Sequence, residues 1–168
     1  MGGSSDGFGD FVAARQSSLL RTAWLLTGNW TSAEDLVQTT LLNVLPRWER
    51  LSREGNPEAY AHRALVNTYL SWWRRFRRRE QPIESLPEPG SAEAGYDAVV
   101  LRDQLVRAMS VLPPRQRAVV VLRYLHDYSE AETAALLGIA VGTVKSQGAR
   151  GLAAARAQLA AITQESSL

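Results

Sequence analysis

Residues 67–79, NTYLSWWRRFRRR, combine an amide, aromatic rings and a nearly continuous arginine run. These residue types could bind unpaired nucleotides, because aromatic rings stack on bases while guanidinium groups hold phosphates. At helical spacing the same segment also supplies a stripe that would fit a protein core, made of Tyr69, Trp73 and Phe76. We interpret that stripe as core, and we assign Trp72 and the arginines to nucleic acid.

Residues 129–150, SEAETAALLGIAVGTVKSQGAR, have the sequence constraints of a helix-turn-helix. Ser129 to Glu132 fits a capping box, Gly138 permits the positive φ of a tight turn, and Val144 falls on the buried face of the second helix. The second helix of such a motif enters the major groove of DNA. The alternative is a plain helical hairpin with a solvated face. The side presented to DNA would carry Lys145, Ser146, Ala149 and Arg150.

Gly148 conflicts with this assignment, because it lies inside the second helix where a large apolar residue is expected. Glycine costs about 1 kcal/mol relative to alanine in a helix and leaves packing volume unfilled. Either the partner helix comes closer at this position, or the second helix is marginal without DNA.

The composition excludes several classes of site. The chain has 168 residues and no cysteine, which removes disulfides, thiolate zinc sites and cysteine nucleophiles. Two histidines are too few for a histidine-based metal site, and we expect no metal and no cofactor. Glu34, Asp35 and His62 are the only support for an enzyme acting on nucleic acid, and acids are expected at capped helix starts in any case. We therefore predict a protein that is not an enzyme.

No apolar run approaches the roughly 20 residues that span a bilayer, and the N-terminus lacks the layout of a signal peptide. We expect a cytoplasmic protein without a membrane partner.

Apolar residues recur at helical spacing almost throughout, and no segment indicates a strand. A polar loop is expected over residues 49–56, and Asn56-Pro57 should open a long helix that runs to about Arg79. A loose tail is expected from Thr163. The other predicted helices cover Asp10 to Thr27, a segment capped at Thr31 and ended near Pro46, Asp97 to Val111, a segment from Pro114, the segment from Ser129 to Gly138, and Val141 to Ile162.

An acidic, proline- and glycine-containing stretch separates two basic blocks. Residues 81–100 contain no basic side chain, and their acids are Glu84, Glu88, Glu93 and Asp97. The predicted fold class is all-α, with two small helical domains at residues 8–80 and 97–162 joined by a flexible acidic linker at 81–96. Few apolar residues are available to pack this linker, so we expect the two halves to move independently in the free protein.

Four segments in this order resemble the extracytoplasmic-function (ECF) sigma factors of bacterial RNA polymerase, with an actinobacterial composition. They are AEDLVQTTLLNVLPRW, PEAYAHRALVNTYLSWWRRFRRR, LPPRQRAVVVLRYL and the helix-turn-helix SEAETAALLGIAVGTVKSQGAR, and the resemblance covers about residues 8–160. It implies a monomeric initiation factor that binds core polymerase and promoter DNA, with an anti-sigma factor as a further partner.

The resemblance also implies site residues. Asp35, Gln38, Thr39 and Leu42 would dock on the clamp helices of the largest polymerase subunit. The loop at residues 49–56 and the long helix would melt the −10 element and hold its single strand through Arg63, Asn67, Ser71, Trp72, Arg74, Arg75 and Arg78. Lys145, Ser146, Ala149 and Arg150 would read the −35 duplex, and the C-terminal domain would contact the flap of the second-largest subunit.

The chain departs from that family at Val66, Gln147, Gly148 and Ala149, which leaves few base-reading side chains, so no −35 sequence can be inferred. A LuxR-type helix-turn-helix regulator resembles residues 115–155 about as well. That alternative has a partner- or ligand-sensing N-terminal domain. It predicts binding to intact duplex without polymerase, and it gives no role to the segment from Trp72 to Arg79.

Overall fold

The computed structural model describes residues 6–76 and 96–168, and over these ranges the chain forms helices and turns without a β-strand. The predicted all-α class is confirmed. The N-terminal half contains α1 (Asp6–Thr27), α2 (Trp30–Val44), a 3-10 turn (Leu45–Arg47), α3 (Trp48–Glu54) and α4 (Pro57–Phe76). The C-terminal half contains α5 (Tyr96–Met109), α6 (Pro114–Val120), a π-helical turn (Val121–Leu125), α7 (Glu130–Leu137) and α8 (Val141–Ser166).

The turn between α1 and α2 is made by Gly28 and Asn29. Gly28 has a φ of 70°, which glycine adopts without steric cost. The Asn29 side chain then accepts a hydrogen bond from the Ser32 backbone N–H at 2.9 Å and caps α2. The predicted cap at Thr31 is wrong, because the helix already starts at Trp30, whose indole is buried against Trp24.

The polar loop predicted over residues 49–56 is also wrong over most of its length, because α3 occupies it. Pro46 ends α2 as expected, but it does so by starting a 3-10 turn, which leads directly into α3. Trp48 and Leu51 are buried there, so an apolar side of α3 holds the segment on the core. The Asn56 side chain then caps α4 by accepting from the Ala59 N–H at 3.2 Å, as predicted.

The helix-turn-helix forms as predicted. Ser129 and Glu132 make both hydrogen bonds of the capping box, and Gly138 ends α7 with a φ of 67°. Val144 on α8 is buried, as expected. The predicted loose tail from Thr163 is wrong, because α8 continues to Ser166. The side chain of Ile162, in the last turns of this helix, is buried.

The conflict at Gly148 is resolved by close packing of α6 on α8. A Cβ atom at Gly148 would lie 3.6 Å from Val119 Cγ1, so the partner helix does approach there. The approach is closer still at Gly151, where a Cβ atom would lie 2.7 Å from Val120 Cγ2. Gly151 therefore lets α6 pack more closely on α8 than alanine would allow, whereas Gly148 is in ordinary contact with Val119, so α6 side chains fill the space beside both glycines.

The two halves share one apolar core in this structure, and the independent movement expected from the sequence stays a prediction. Helix α1 packs on α5 and α6, and α4 packs on α6. A single buried cluster runs from Leu19 and Tyr69 to Val106 and Leu122. The predicted linker, residues 81–96, lies outside the described residues except for Tyr96, where α5 begins.

Candidate polymerase and nucleic-acid interfaces

The outer side of α2 carries Asp35, Gln38, Thr39 and Leu42, which we call the α2 face. Asp35 and Gln38 are exposed, and Leu42 has 69% of its surface accessible. Thr39 is half-buried and its hydroxyl donates to the Asp35 carbonyl at 2.9 Å. The opposite stripe of α2 is buried and contains Ala33, Leu36, Val37, Thr40 and Val44. An exposed leucine beside polar groups suits a protein interface, because a partner that covers the apolar side chain removes it from water, which favours binding.

The solvent side of α4 carries Arg63, Asn67, Ser71, Arg74 and Arg75, which we call the α4 face. Every one of these except the half-buried Ser71 is exposed. At about 100° per residue, Arg63, Asn67 and Arg74 fall in one line along the helix. Arg78, also predicted to bind the −10 strand, lies outside the described residues.

The two adjacent tryptophans of α4 have the opposite environments to those predicted. Trp72 is partly buried and packs on the core, whereas Trp73, predicted to be core, is 41% exposed. The core stripe of α4 contains Leu65 and Tyr69, and Trp72 continues it at helical spacing. Trp73 lies about 100° round the helix from Trp72 and about 40° from Tyr69, so both tryptophans flank the stripe and only packing distinguishes them.

Asn67, Trp73 and Arg74 line one cavity of about 250 Å³ together with Leu70. Its other wall comes from the C-terminal half and consists of Pro113, Pro114, Arg115 and Leu137. The cavity therefore offers an amide, an indole and two guanidinium groups, and these could hold a flipped base and its phosphate.

The exposed side of α8 carries Lys145, Ser146, Ala149 and Arg150, which we call the α8 face. All four are exposed, while Val144 and Gly148 behind them are buried. The Lys145 ammonium lies 3.8 Å from the Glu130 carboxylate, which also lies 3.8 Å from the Arg123 guanidinium. Lys145 thus has an acidic neighbour on α7 that any phosphate must compete with.

The structure brings Asn67 and Arg74 together in one cavity, and it keeps the α2, α4 and α8 faces on separate helices. Sequence reasoning missed Trp73 as an accessible ring, because Trp72 and Trp73 both follow Tyr69 at helical spacing and the pattern alone does not separate them. It also missed the contacts of Glu130 and the pairing of His62 with His126, which join residues far apart in sequence.

The described parts of the chain show no group of three or more His, Asp or Glu side chains that could hold a metal ion. Over the same residues, no helix is both long and apolar enough to cross a bilayer.

Comparison with known proteins assigns a family to both halves. The profile of sigma-70 region 2 matches residues 11–80, and that of sigma-70 region 4 matches residues 102–154. An RNA polymerase sigma-E factor of Streptomyces coelicolor is 41% identical over 157 residues, which are 92% of this chain and 86% of that protein. The ECF RNA polymerase sigma factor EcfG of Rhodopseudomonas palustris is 31% identical over 159 residues, with 94% of this chain and 86% of that protein covered.

A solved structure also resembles most of this chain. The sigma factor RpoE of Bartonella quintana, in complex with the anti-sigma factor NepR, matches with a TM-score of 0.71 and 23% identity. The match covers 91% of this chain and 96% of that one. At this identity the likeness concerns the fold.

Proposed function

The chain belongs to the ECF sigma factors of bacterial RNA polymerase, and from this membership we propose a division of labour among its three exposed faces. The α2 face binds the clamp helices of the largest polymerase subunit. The α4 face captures the melted −10 strand. The α8 face binds the −35 duplex, and the C-terminal half also contacts the flap of the second-largest subunit.

The observation that carries this division is the exposure of the candidate side chains. Each face is accessible to a macromolecule, and each stands on a buried apolar stripe that fixes its helix. The described α4 face carries three arginines and no acid, which suits a polyanion.

Base capture is assigned to Asn67 and Trp73 in this proposal. The Asn67 amide can hydrogen-bond a base edge, and the accessible Trp73 ring can stack on a base within the same cavity. Trp72, which the sequence favoured for this role, packs on the core and supports the helix instead.

The protein acts as an initiation factor, and we assign it no enzymatic activity of its own. Its place of action is the cytoplasm, where core polymerase and the chromosome meet. The Bartonella sigma factor is in complex with an anti-sigma factor, and a protein of that class is the regulatory partner proposed here.

The test is run-off transcription with core polymerase on a linear duplex library, with and without this chain, followed by sequencing of transcript 5′ ends. Defined start sites that require the chain are expected. Tight, sequence-specific binding to intact duplex without polymerase, together with unchanged transcript ends, would instead indicate the LuxR-type regulator.

A further inference from the structure

The two histidines of the chain meet at the boundary between its halves. His62 lies on α4 and His126 follows the π-helical turn, yet their ring centroids are 4.1 Å apart. His62 is 5% exposed and His126 is half-buried. A contact between imidazoles at this distance is compatible with neutral rings and opposed by two positive charges.

Polar contacts also cross the boundary between the two halves near the rings. The Thr22 hydroxyl on α1 lies 3.3 Å from His126 Nε2. The Arg117 guanidinium on α6 donates to the carbonyl of Leu26 in α1, and also to the Ser110 and Leu112 carbonyls at 3.1 and 2.9 Å. His62 Nδ1 is buried without a hydrogen-bond partner among the described residues. A protonated His62 would bury an unsatisfied N–H of a charged ring there.

The charged groups around the pair come from every element that packs on it. Four arginines outnumber the two acids, Glu58 and Asp127, around the pair. Glu58 lies 3.8 Å from His62 Nε2 and also pairs with Arg15 at 3.2 Å. A carboxylate that is already paired with arginine stabilises a neighbouring imidazolium less than an unpaired carboxylate does. The titratable and charged neighbours are Arg15 and Arg21 on α1, Glu58 and Arg63 on α4, Arg102 on α5, and Asp127 and Tyr128 after His126.

We propose that this histidine pair makes the packing of the two halves dependent on pH, so that acidification separates them. Both rings are neutral when the halves are packed. Separation exposes both rings to water, where each can take up a proton freely.

The direction of the pH effect on packing follows from the lowered pKa values of the two histidines. Burial, followed by the neighbouring His62, lowers the pKa of His126 from 6.5 to about 4, and burial followed by Arg15 lowers the pKa of His62. Glu58 and Asp127 act in the opposite direction on His126 without offsetting the burial. Protons therefore bind the separated state more tightly. The packing equilibrium levels off above pH 6.5 and weakens as pH falls toward about 4, by at most about tenfold at pH 5.5 from His126, whose partly exposed ring reduces the effect.

Separation would also widen the access of a nucleic-acid strand to the cavity beside the α4 face. In the packed arrangement Arg63 lies close to Tyr128, and Pro113, Pro114 and Arg115 form the wall of the cavity opposite Asn67 and Trp73. This consequence rests on the proposed function of that face, whereas the pH dependence of packing does not.

The first measurement is an NMR titration of the imidazole protons in the intact chain, in which the only histidines are His62 and His126. His126 is expected to titrate near 4 and His62 below 6.5. In Arg117→Ala, which removes the link to Leu26, both pKa values should rise toward 6.5. Arg156→Ala removes an exposed arginine from α8 and should leave them unchanged.

The second measurement is the distance between the halves. The chain has no cysteine, so Glu54→Cys and Ala154→Cys place two fluorophores at exposed positions on α3 and α8. Energy transfer should fall between pH 7.5 and 5.5, most clearly in the Arg117→Ala background, and His126→Gln with His62→Gln should abolish the change. Ring pKa values of 6.5 in the intact chain, or a distance independent of pH in both backgrounds, would overturn the proposal.

Discussion

At the scale of single residues, the adjacent tryptophans of α4 allow binding and stability to be separated. Trp73→Ala should lower the yield of open complex about ten- to a hundredfold, because one base–aromatic stack contributes about 1–3 kcal/mol. Its effect on unfolding should be small, since Trp73 is 41% exposed. Trp72→Ala should instead lower the free energy of unfolding by up to about 3 kcal/mol, because its ring packs on the core.

Permanganate reactivity of the −10 thymines and urea unfolding give the two readouts. Asn67→Ala should behave as Trp73→Ala does, and a pre-melted −10 bubble should not rescue either variant if the defect lies in base capture. Normal footprints with both variants would mean that α4 is scaffold.

The α8 face makes a second prediction at the same scale. Lys145→Ala or Arg150→Ala should weaken binding to a −35 duplex, and loss of one phosphate contact should reduce the salt slope by about 1. A base contact would instead cost about 1–3 kcal/mol at a single position. Fluorescence anisotropy across a salt series, with intact and substituted −35 duplexes, measures the salt slope and the free-energy cost at each position. Arg156→Ala, exposed about 16 Å further along α8 than Lys145, is the matched control and should bind as the wild type does.

At the scale of elements, α2 should tolerate changes on its outer face. Asp35→Ala combined with Gln38→Ala is expected to weaken core-polymerase binding while the free energy of unfolding changes by less than about 0.5 kcal/mol, because both side chains are exposed. Glu34→Ala, exposed on the same helix but outside the α2 face, should leave polymerase binding intact. Unfolding of the double variant would show that these residues are structural and that docking lies elsewhere.

The contact of α6 with α8 can be tested through two glycines of one helix. Gly151→Ala places a Cβ atom 2.7 Å from Val120 and 3.3 Å from Leu112, so it should destabilise the fold by about 1–3 kcal/mol despite alanine's better helix propensity. Gly142→Ala meets no atom within 4 Å and should be neutral or stabilising by up to about 1 kcal/mol. Thermal unfolding of both variants checks the contrast, and equal effects would contradict the close approach.

The elements that the sequence predicted well carry their own local signals. Asn56-Pro57 and Ser129 to Glu132 are capping patterns whose hydrogen bonds lie within one turn, so no tertiary contact is needed to see them. Helix α3 was missed because its short polar sequence holds only Trp48 and Leu51 as buried anchors. A helix of one or two turns depends on packing that propensity does not record.

At the scale of the whole molecule, the packing of the two halves could not be predicted from the sequence, for a physical reason. The contacts that create it join Leu26 to Arg117 and His62 to His126, and no periodicity links such distant positions. The α4 face was predictable to the extent that helical phase determines it. Only the assembled core shows which of two adjacent tryptophans remains accessible, and which side of α4 the C-terminal half approaches.

The shared core also predicts how the stability of the chain depends on pH. The pKa of His126 is about 4 in the folded chain and 6.5 in an exposed ring, and that of His62 is lowered as well. The stabilisation from their neutral burial is fully present above pH 6.5 and is lost as pH falls toward about 4. Each proton can contribute at most about 1.4 kcal/mol per pH unit, and His126 should contribute less because it is partly exposed to solvent. Urea unfolding between pH 7.5 and 4.5 should therefore show a decline that is shallower in His126→Gln. A wild-type profile as flat as that of the variant would show that the imidazole of His126 stays solvated in the folded chain.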